Sequence, residues 1–261
     1  MTREEILKVA KPILFNTEMV RAILEGRKTV TRRLLKDPWY IEDEENARLT
    51  GCAMHKGTKI TKGMPYPDSP LKVGDNLYVR ETWRVGAWDI HKQLMAFDYK
   101  DGTCGEMVYI HDRDMFLRLV DQAREDARKA GCEYNGVDFV WEKGKSPCKW
   151  HPSIHMPKEA ARIFILVTNV KVERLQDITF KEVKKEGVFP CIGCRGLDRD
   201  FDDISYCKLK DCKYGDKRKA PCSMNDFVKL WNSTIKKEDM DKYGWDANPW
   251  VWVYEFERVE V

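Results

Sequence analysis

The run ARIFILVTNVKVERL, residues 161–175, constrains the fold more than any other segment. It is an almost unbroken series of aliphatic and β-branched residues, which is typical of a strand buried in a sheet. Residues 249–261 are a second strand candidate, in which large apolar and polar positions alternate. A third candidate, 76–82, follows a turn at Gly74 and Asp75. Short strands with few helices favour a small β-barrel that carries insertions.

Helical spacing of apolar residues is found in four segments, which are residues 15–26, 112–130, 177–187 and 225–237. Asn16 or Thr17 is the expected N-cap of the first helix, which ends at Gly26. Asp177 or Thr179 is expected near the N-cap of the third helix. Together with the strands, these helices predict an α+β fold.

The composition predicts a folded, cytoplasmic protein. The chain has 261 residues and 43% hydrophobic content, which is enough for one large core. Its N-terminus is charged, and no window holds the roughly eighteen apolar residues that a membrane span requires, so no membrane partner is expected. The formal charge is only +3, and nucleic-acid binding is therefore indicated only by local basic clusters at 27–33 and 213–219.

Five of the nine cysteines lie close together, and they are Cys191, Cys194, Cys207, Cys212 and Cys222. An odd total without a secretion signal favours free thiols and a metal site over a disulfide framework. The C-x-x-C pair with a second close pair is the usual way in which a loop supplies four soft ligands to tetrahedral zinc. We predict a structural zinc held by four of the five, with an iron–sulfur cluster as the alternative metal and free thiols as the alternative without one. A four-thiolate site has no open coordination position, so this zinc would hold the loop and not catalyse, and no organic cofactor is expected.

The motif GRKTVTRR, residues 26–33, places two threonines between a lysine and two arginines directly after the first predicted helix. Lys28, Arg32 and Arg33 have the composition of a phosphate-binding cluster. The alternative is chemistry, in which Lys28, with its pKa lowered by desolvation or nearby positive charge, takes the proton of Thr31. Positions three apart on an extended strand face opposite sides, so this cooperation requires a bend near Gly26.

Five motifs, in this order along the chain, resemble the ASCH domain family, and in particular its longer phage-type members; they are GRKTVTRR, VGDNLYVRETWR, HPSIHMPKEAARIFILVTNVKVERLQDIT, EGV and NPWVWVYEFERV. The resemblance implies a PUA-like small β-barrel with flanking helices and a cleft, in a single domain over residues 1–261. Insertions are then expected at 37–70 (irregular), 85–150 (helical) and 190–223 (cysteine-rich and zinc-binding). The resemblance also implies a nucleoside, RNA or modified DNA as partner, and the host cytoplasm as location if the chain is phage-encoded.

A small bacterial branch of the ASCH family hydrolyses the acetyl amide of N4-acetylcytidine with a lysine, a threonine and a glutamate. The resemblance carries these roles to Lys28 as base, Thr31 as nucleophile and Glu186 as proton shuttle. A solvated helix-end residue paired with the neighbouring lysines is the structural alternative for Glu186.

Three further residues follow the strand 76–82 or lie at its end. Arg80, Glu81 and Trp83 are expected to line the cleft and bind substrate together with Arg32 and Arg33. Stacking of a base on an indole contributes about 1 to 3 kcal/mol. A position in the core is the alternative for Trp83.

Two main hypotheses follow. The first is an amidohydrolase that acts on a modified nucleoside. The second is a non-catalytic module that binds RNA or a modified base. A ribonuclease is a third reading, since lysine, arginine and glutamate also serve phosphodiester cleavage.

Overall fold

The structure is a computed structural model that describes residues 1–35, 39–40, 54–55, 69–188 and 222–260. For 39–40, 54–55 and 222–223 only the course of the backbone is described. Most of the predicted irregular segment 37–70 therefore lies outside the described residues. So do Cys191, Cys194, Cys207 and Cys212, while Cys222 begins a helix.

The α-helices of the described residues are α1 (Arg3–Val9), α2 (Thr17–Leu24), α3 (Arg113–Lys129), α4 (Phe180–Lys185), α5 (Cys222–Ser233) and α6 (Met240–Tyr243). The strands are β1 (Lys11–Leu14), β2 (Val30–Leu34), β3 (Trp39–Tyr40), β4 (Met54–His55), β5 (Asn76–Arg80), β6 (Trp83–Asp89), β7 (Leu94–Tyr99), β8 (Val108–Tyr109), β9 (Glu133–Tyr134), β10 (Phe139–Val140), β11 (Phe164–Arg174) and β12 (Trp250–Val259).

The chain divides into two compact units. The first contains residues 1–24, 76–165 and 258–261, and the second contains 25–75 and 166–257. The long strand β11 begins in the first unit and continues through the second.

In the first unit, β1 pairs in parallel with β5, and β6, β7 and β8 form an antiparallel sheet. The core contains large buried side chains, among them Trp83, Phe97, Phe116 and Phe164. Helix α3 contributes to this core through Phe116, and its N-terminus is capped by the side chain of Asp112. The prediction of a helix over 112–130 is confirmed, and the segment 85–150 contains strands as well as this helix.

In the second unit, β12 lies between β11 and β2. Strands β12 and β2 are antiparallel, with Tyr254 opposite Thr31 and Val253 opposite Arg32. A second core, which includes Val30, Val183, Phe227, Trp231 and Val253, fills the space between these strands and helices α4 and α5.

Helix α4 begins and ends where the sequence predicts. Thr179 and Glu182 form a reciprocal capping box at its N-terminus, which satisfies backbone donors that the helix itself leaves unpaired. Glu186 is the C-cap, and Gly187 follows with φ +83°, a conformation that costs glycine little. The capping box and Gly187 together set the position of Glu186 at the end of the helix.

The mixed α+β class is confirmed. The described strands form open sheets and no closed barrel among themselves. None of the helices in the described ranges combines the length and the apolar content that a bilayer crossing requires.

Candidate active site

The backbone of the second unit brings the GRKT motif to the end of helix α4. Lys28 and Glu186 form an isolated antiparallel bridge. The amide of Thr29 donates to the carbonyl of Lys185 at 2.9 Å, and the amide of Phe256 donates to the carbonyl of Thr29 at 2.9 Å. The motif is therefore tied on one side to the end of α4 and on the other to β12.

The Lys28 ammonium is surrounded by oxygen acceptors. Its Nζ donates to the Val30 carbonyl at 2.8 Å, to the Glu186 carbonyl at 2.9 Å and to Glu186 Oε2 at 2.8 Å. The side chains of Lys28 and Glu186 are only 2% and 5% exposed. Three acceptors match the three donors of an ammonium, so its charge is well compensated in spite of burial.

Arg32 is the second cation on Glu186. Its Nη1 donates to Glu186 Oε1 at 3.0 Å, so Lys28 and Arg32 hold the two oxygens of one carboxylate. The same guanidinium contacts Glu173 Oε1 through Nε at 2.9 Å and lies 3.1 Å from Glu182 Oε2. Lys171 in turn bridges Glu173 and Glu182, at 2.9 and 2.8 Å.

These charges form one network of three cations and three carboxylates. We call it the Glu186 network, and its members are Lys28, Arg32, Lys171, Glu173, Glu182 and Glu186. Burial lowers the pKa of Lys28, and Glu186 opposes that shift. Burial would also lower the pKa of Arg32, but Glu186 and Glu173 outweigh it and raise the pKa above the ordinary value. Lys28 is therefore the cation of the network that burial brings closer to releasing a proton.

Thr31 occupies the other face of β2. It lies between Val30 and Arg32 along the strand, and side chains alternate between faces, so its side chain is directed away from Arg32. Its cross-strand neighbour is Tyr254, whose hydroxyl lies 3.1 Å from Ser69 Oγ. Thr31 is 4% exposed. The structure thus brings Lys28 and Glu186 together, and within β2 it places Thr31 on the face opposite Arg32.

Arg33 lies two residues after Thr31 in β2, so the two side chains are on the same face of the strand. Its cross-strand neighbour is Trp252. Burial lowers its pKa, while Glu186 and Tyr254 raise it. Arg33 is therefore a partly buried cation on the Tyr254 face.

The other residues predicted to bind substrate belong to the first unit. Glu81 is 2% exposed, and both of its oxygens accept from Arg162 at 2.8 Å, so it is held in a buried ion pair. Arg80 Nε donates to the Met156 carbonyl at 3.2 Å. These contacts account for Arg80 and Glu81 as parts of the fold of that unit.

Trp83 is a core residue. It is 1% exposed, it stacks on His151 with ring centroids 4.5 Å apart, and its edge meets Phe97 at 5.4 Å. Its indole Nε1 is buried without a hydrogen-bond partner among the described residues. The ring therefore offers no exposed face on which a base could stack, which agrees with the core alternative.

Sequence reasoning missed Lys171, Glu173 and Glu182. One signal for the first two is present, because the charges at 171 and 173 alternate with Val170 and Val172 at the period of two that marks one face of a strand. Glu182 has an evident local role in the capping box, and this role conceals its contact with Arg32.

Within the described residues, no group of three or more histidine, cysteine or acidic side chains is arranged to hold a metal ion. Comparisons with protein-family models, with curated proteins and with solved structures give no match. The resemblance to the ASCH family accordingly stays a prediction.

Proposed function

We propose that the protein is a hydrolase that cleaves an amide on a modified nucleoside, of the N4-acetylcytidine kind, with Lys28 and Glu186 handling the protons. One observation supports this most strongly. The two residues are assigned by separate motifs far apart in the sequence, and Lys28 Nζ lies 2.8 Å from Glu186 Oε2. A lysine of lowered pKa in contact with a carboxylate can accept a proton and pass it on.

The proposed reaction has two steps. The hydroxyl of Thr31 loses its proton to Lys28, and its oxygen forms a bond to the acyl carbon while the bond from that carbon to N4 breaks. The leaving nitrogen takes up a proton through Glu186 and departs as the free amine. Water then cleaves the acyl-threonine ester, which releases the acid and restores the Thr31 hydroxyl.

Strand alternation places the Thr31 side chain on the face of β2 opposite Arg32, which it shares with Arg33. We expect the Thr31 hydroxyl to meet Lys28 Nζ when substrate binds. Catalytic contacts that form only in the substrate complex are common in hydrolases.

A non-catalytic module that binds RNA or a modified base is the second candidate. The observation that favours it is the saturation of Lys28, whose three donors all have acceptors within 2.9 Å. In this reading the Glu186 network stabilises the fold, and the surrounding basic residues bind phosphate.

The deciding experiment is a mass-spectrometric assay with N4-acylated cytidines, as free nucleosides and within short RNA. The variants are Lys28→Arg, Glu186→Gln and Thr31→Ala. The matched controls are Lys185→Arg and Glu18→Gln, which change exposed residues of the same types. General acid–base groups contribute roughly 10²- to 10⁴-fold, so we expect losses of that size in the first two variants and none in the controls.

No product from any substrate would refute the hydrolase. Unchanged turnover in both Lys28→Arg and Glu186→Gln would refute the assigned roles. Circular dichroism and thermal melts of every variant separate loss of chemistry from loss of fold.

The resemblance also leads us to propose a PUA-like barrel. The cysteine spacing leads us to propose a structural zinc bound by four of Cys191, Cys194, Cys207, Cys212 and Cys222. We expect the purified protein to contain one equivalent of zinc by elemental analysis. The double variant Cys191→Ser, Cys194→Ser should lose it. Cys104→Ser is the matched control, since Cys104 is a free, partly buried thiol of the first unit. Iron in place of zinc, or no metal, would contradict the proposal.

A further inference from the structure

A cavity of about 510 Å³ lies beside strands β6 and β7 of the first unit. The β6–β7 register shifts between Val85 and Ala87, and Ala87 pairs with Ala96. Gly86, Ala87 and Ala96 all line the cavity. The space therefore exists because the smallest residues of both strands coincide with a bulge, a feature that often accompanies binding sites. Its volume falls within the roughly 300 to 1,000 Å³ of small-molecule pockets.

Aromatic side chains form the walls of this cavity. Trp88 and Trp141 meet with ring centroids 5.4 Å apart and planes at 59°, so they make a corner and not a stack. Trp88 Nε1 donates to Asp138 Oδ2 and Trp141 Nε1 donates to the Gly86 carbonyl, both at 2.8 Å. Because both indoles are fixed by hydrogen bonds, their faces are preorganised to receive a planar ring.

A buried carboxylate lies in the cavity lining. Asp98 is 4% exposed, and Arg84 Nε donates to its Oδ2 at 3.2 Å. A Cβ atom on Gly86 would stand 2.7 Å from Asp98 Oδ1, so only glycine leaves room for this carboxylate. An ionised carboxylate only accepts hydrogen bonds and offers about four acceptor sites, of which Arg84 and the neighbouring Cys104 thiol use part. The remaining sites select a ligand that carries N–H donors.

We propose that this cavity binds an amino-bearing nucleobase. The base would stack on the indole corner of Trp88 and Trp141 and donate its exocyclic amine to Asp98. Cytosine, adenine and guanine have such an amine and uracil has none. The exposed rim residues Glu106 and Lys143 have opposite charges, so the rim favours neither an anionic nor a cationic ligand. This site shares no residue with the Glu186 network, and the inference does not rest on the proposed hydrolase.

Fluorine NMR of the full chain labelled with 5-fluorotryptophan tests the site, with Trp88→Phe and Trp141→Phe used to assign the two resonances. Cytidine, adenosine, guanosine and uridine are titrated separately, followed by oligodeoxycytidine and oligodeoxythymidine. We expect saturable shifts of both resonances with the amino-bearing nucleosides. One lost hydrogen bond weakens binding about tenfold, so uridine should bind at least that much more weakly. Shifts with oligodeoxycytidine alone would support the same site with a polymer as the source of the base.

Two variants make the test specific to the cavity. Ala87→Phe fills it from an exposed position, so it removes no core packing, and we expect it to abolish the shifts. Glu142→Gln changes an exposed residue outside the cavity lining and should leave them intact. The proposal is overturned if no nucleoside or oligonucleotide shifts the two resonances, if the shifts survive Ala87→Phe, or if uridine binds as tightly as cytidine. Activity of the hydrolase is not part of the readout, so the two proposals fail independently.

Discussion

Lys28 Nζ lies 2.8 Å from Glu186 Oε2, and the side chains of both residues are almost fully buried. Removal of one partner leaves the Glu186 network with an excess charge in a poorly solvated place, whereas removal of both leaves two cations and two carboxylates in balance. The stability of the second unit therefore depends on the presence of both residues.

The first prediction concerns the coupling between these two residues. Lys28→Met and Glu186→Gln should each lower the free energy of unfolding by about 3 to 5 kcal/mol, and the double variant should cost clearly less than the sum. Urea unfolding of the four proteins measures the coupling. Arg21→Met and Glu18→Gln supply the matched cycle for an exposed pair, where a coupling below about 1 kcal/mol is expected. Additive losses at Lys28 and Glu186 would contradict the prediction.

The second prediction concerns the shape of the Arg32 guanidinium. It reaches Glu173, Glu182 and Glu186 at once through nitrogens spread over a planar fork, whereas an ammonium presents all its donors from one nitrogen. Arg32→Lys should therefore lower the free energy of unfolding by about 1.5 to 3 kcal/mol, the range for hydrogen bonds to charged groups, although the charge is kept.

The matched control for Arg32→Lys is Arg128→Lys. Arg128 also directs two nitrogens to one carboxylate, that of Glu125, but its side chain is 68% exposed. Screening by water makes such pairs weak, so the control should change stability by less than about 0.5 kcal/mol. Equal effects of the two substitutions would show that burial of Arg32 does not matter.

Local signals made helix α4 and the position of Glu186 predictable. The capping residue Thr179 and the terminator Gly187 are both visible in the sequence, and both have the geometry that these residue types favour. The long strands β11 and β12 were predictable for a similar reason, because their apolar runs leave little choice of secondary structure.

The pairing of strands was not predictable in the same way. Arg32 meets Glu173 because β2 and β11 lie on either side of β12, and this order is set by contacts between segments far apart in the chain. Trp83 shows the same limit, since its apolar ring suits either a core or a stacking surface, and only packing against Phe97 and His151 decides between them.

The third prediction tests the cap that positions Glu186. Thr179→Ala removes the side-chain acceptor for the Glu182 amide and the Oγ1 donor to Glu182 Oε2, while the backbone amide of residue 179 still donates to that oxygen. The same oxygen lies 3.1 Å from Arg32 Nη2, so its position bears on Arg32 as well as on the cap. We expect a loss of about 1 kcal/mol in the free energy of unfolding from the cap itself. Thr2→Ala, in the capping box of α1, is the matched control, because Glu5 has no such second role. If Glu182 orders Arg32, Thr179→Ala should cost more than Thr2→Ala; the reverse order would refute the link.

The fourth prediction concerns stability at high pH. Burial raises the pKa of Tyr254 to about 12, against an ordinary value of 10.0. Between these values the unfolded chain releases the phenolic proton and the folded chain keeps it, so unfolding becomes more favourable as the pH rises. The stabilisation is complete below pH 10 and is lost by about pH 12, and it amounts to roughly 2 to 3 kcal/mol at about 1.4 kcal/mol for each pKa unit.

Tyr254→Phe should remove this part of the loss of stability at alkaline pH. At pH 8 the variant should be less stable by about 1 kcal/mol, because the hydroxyl contact with Ser69 Oγ is lost. As the pH rises above 10, the difference between the variant and the native protein should shrink and then reverse in sign. Tyr109→Phe, at a side chain that is half exposed, is the matched control for the removal of a phenol hydroxyl. Urea unfolding at pH 8, 10 and 11 measures both, and parallel curves for Tyr254→Phe and the native protein would contradict the assignment of the alkaline transition to Tyr254.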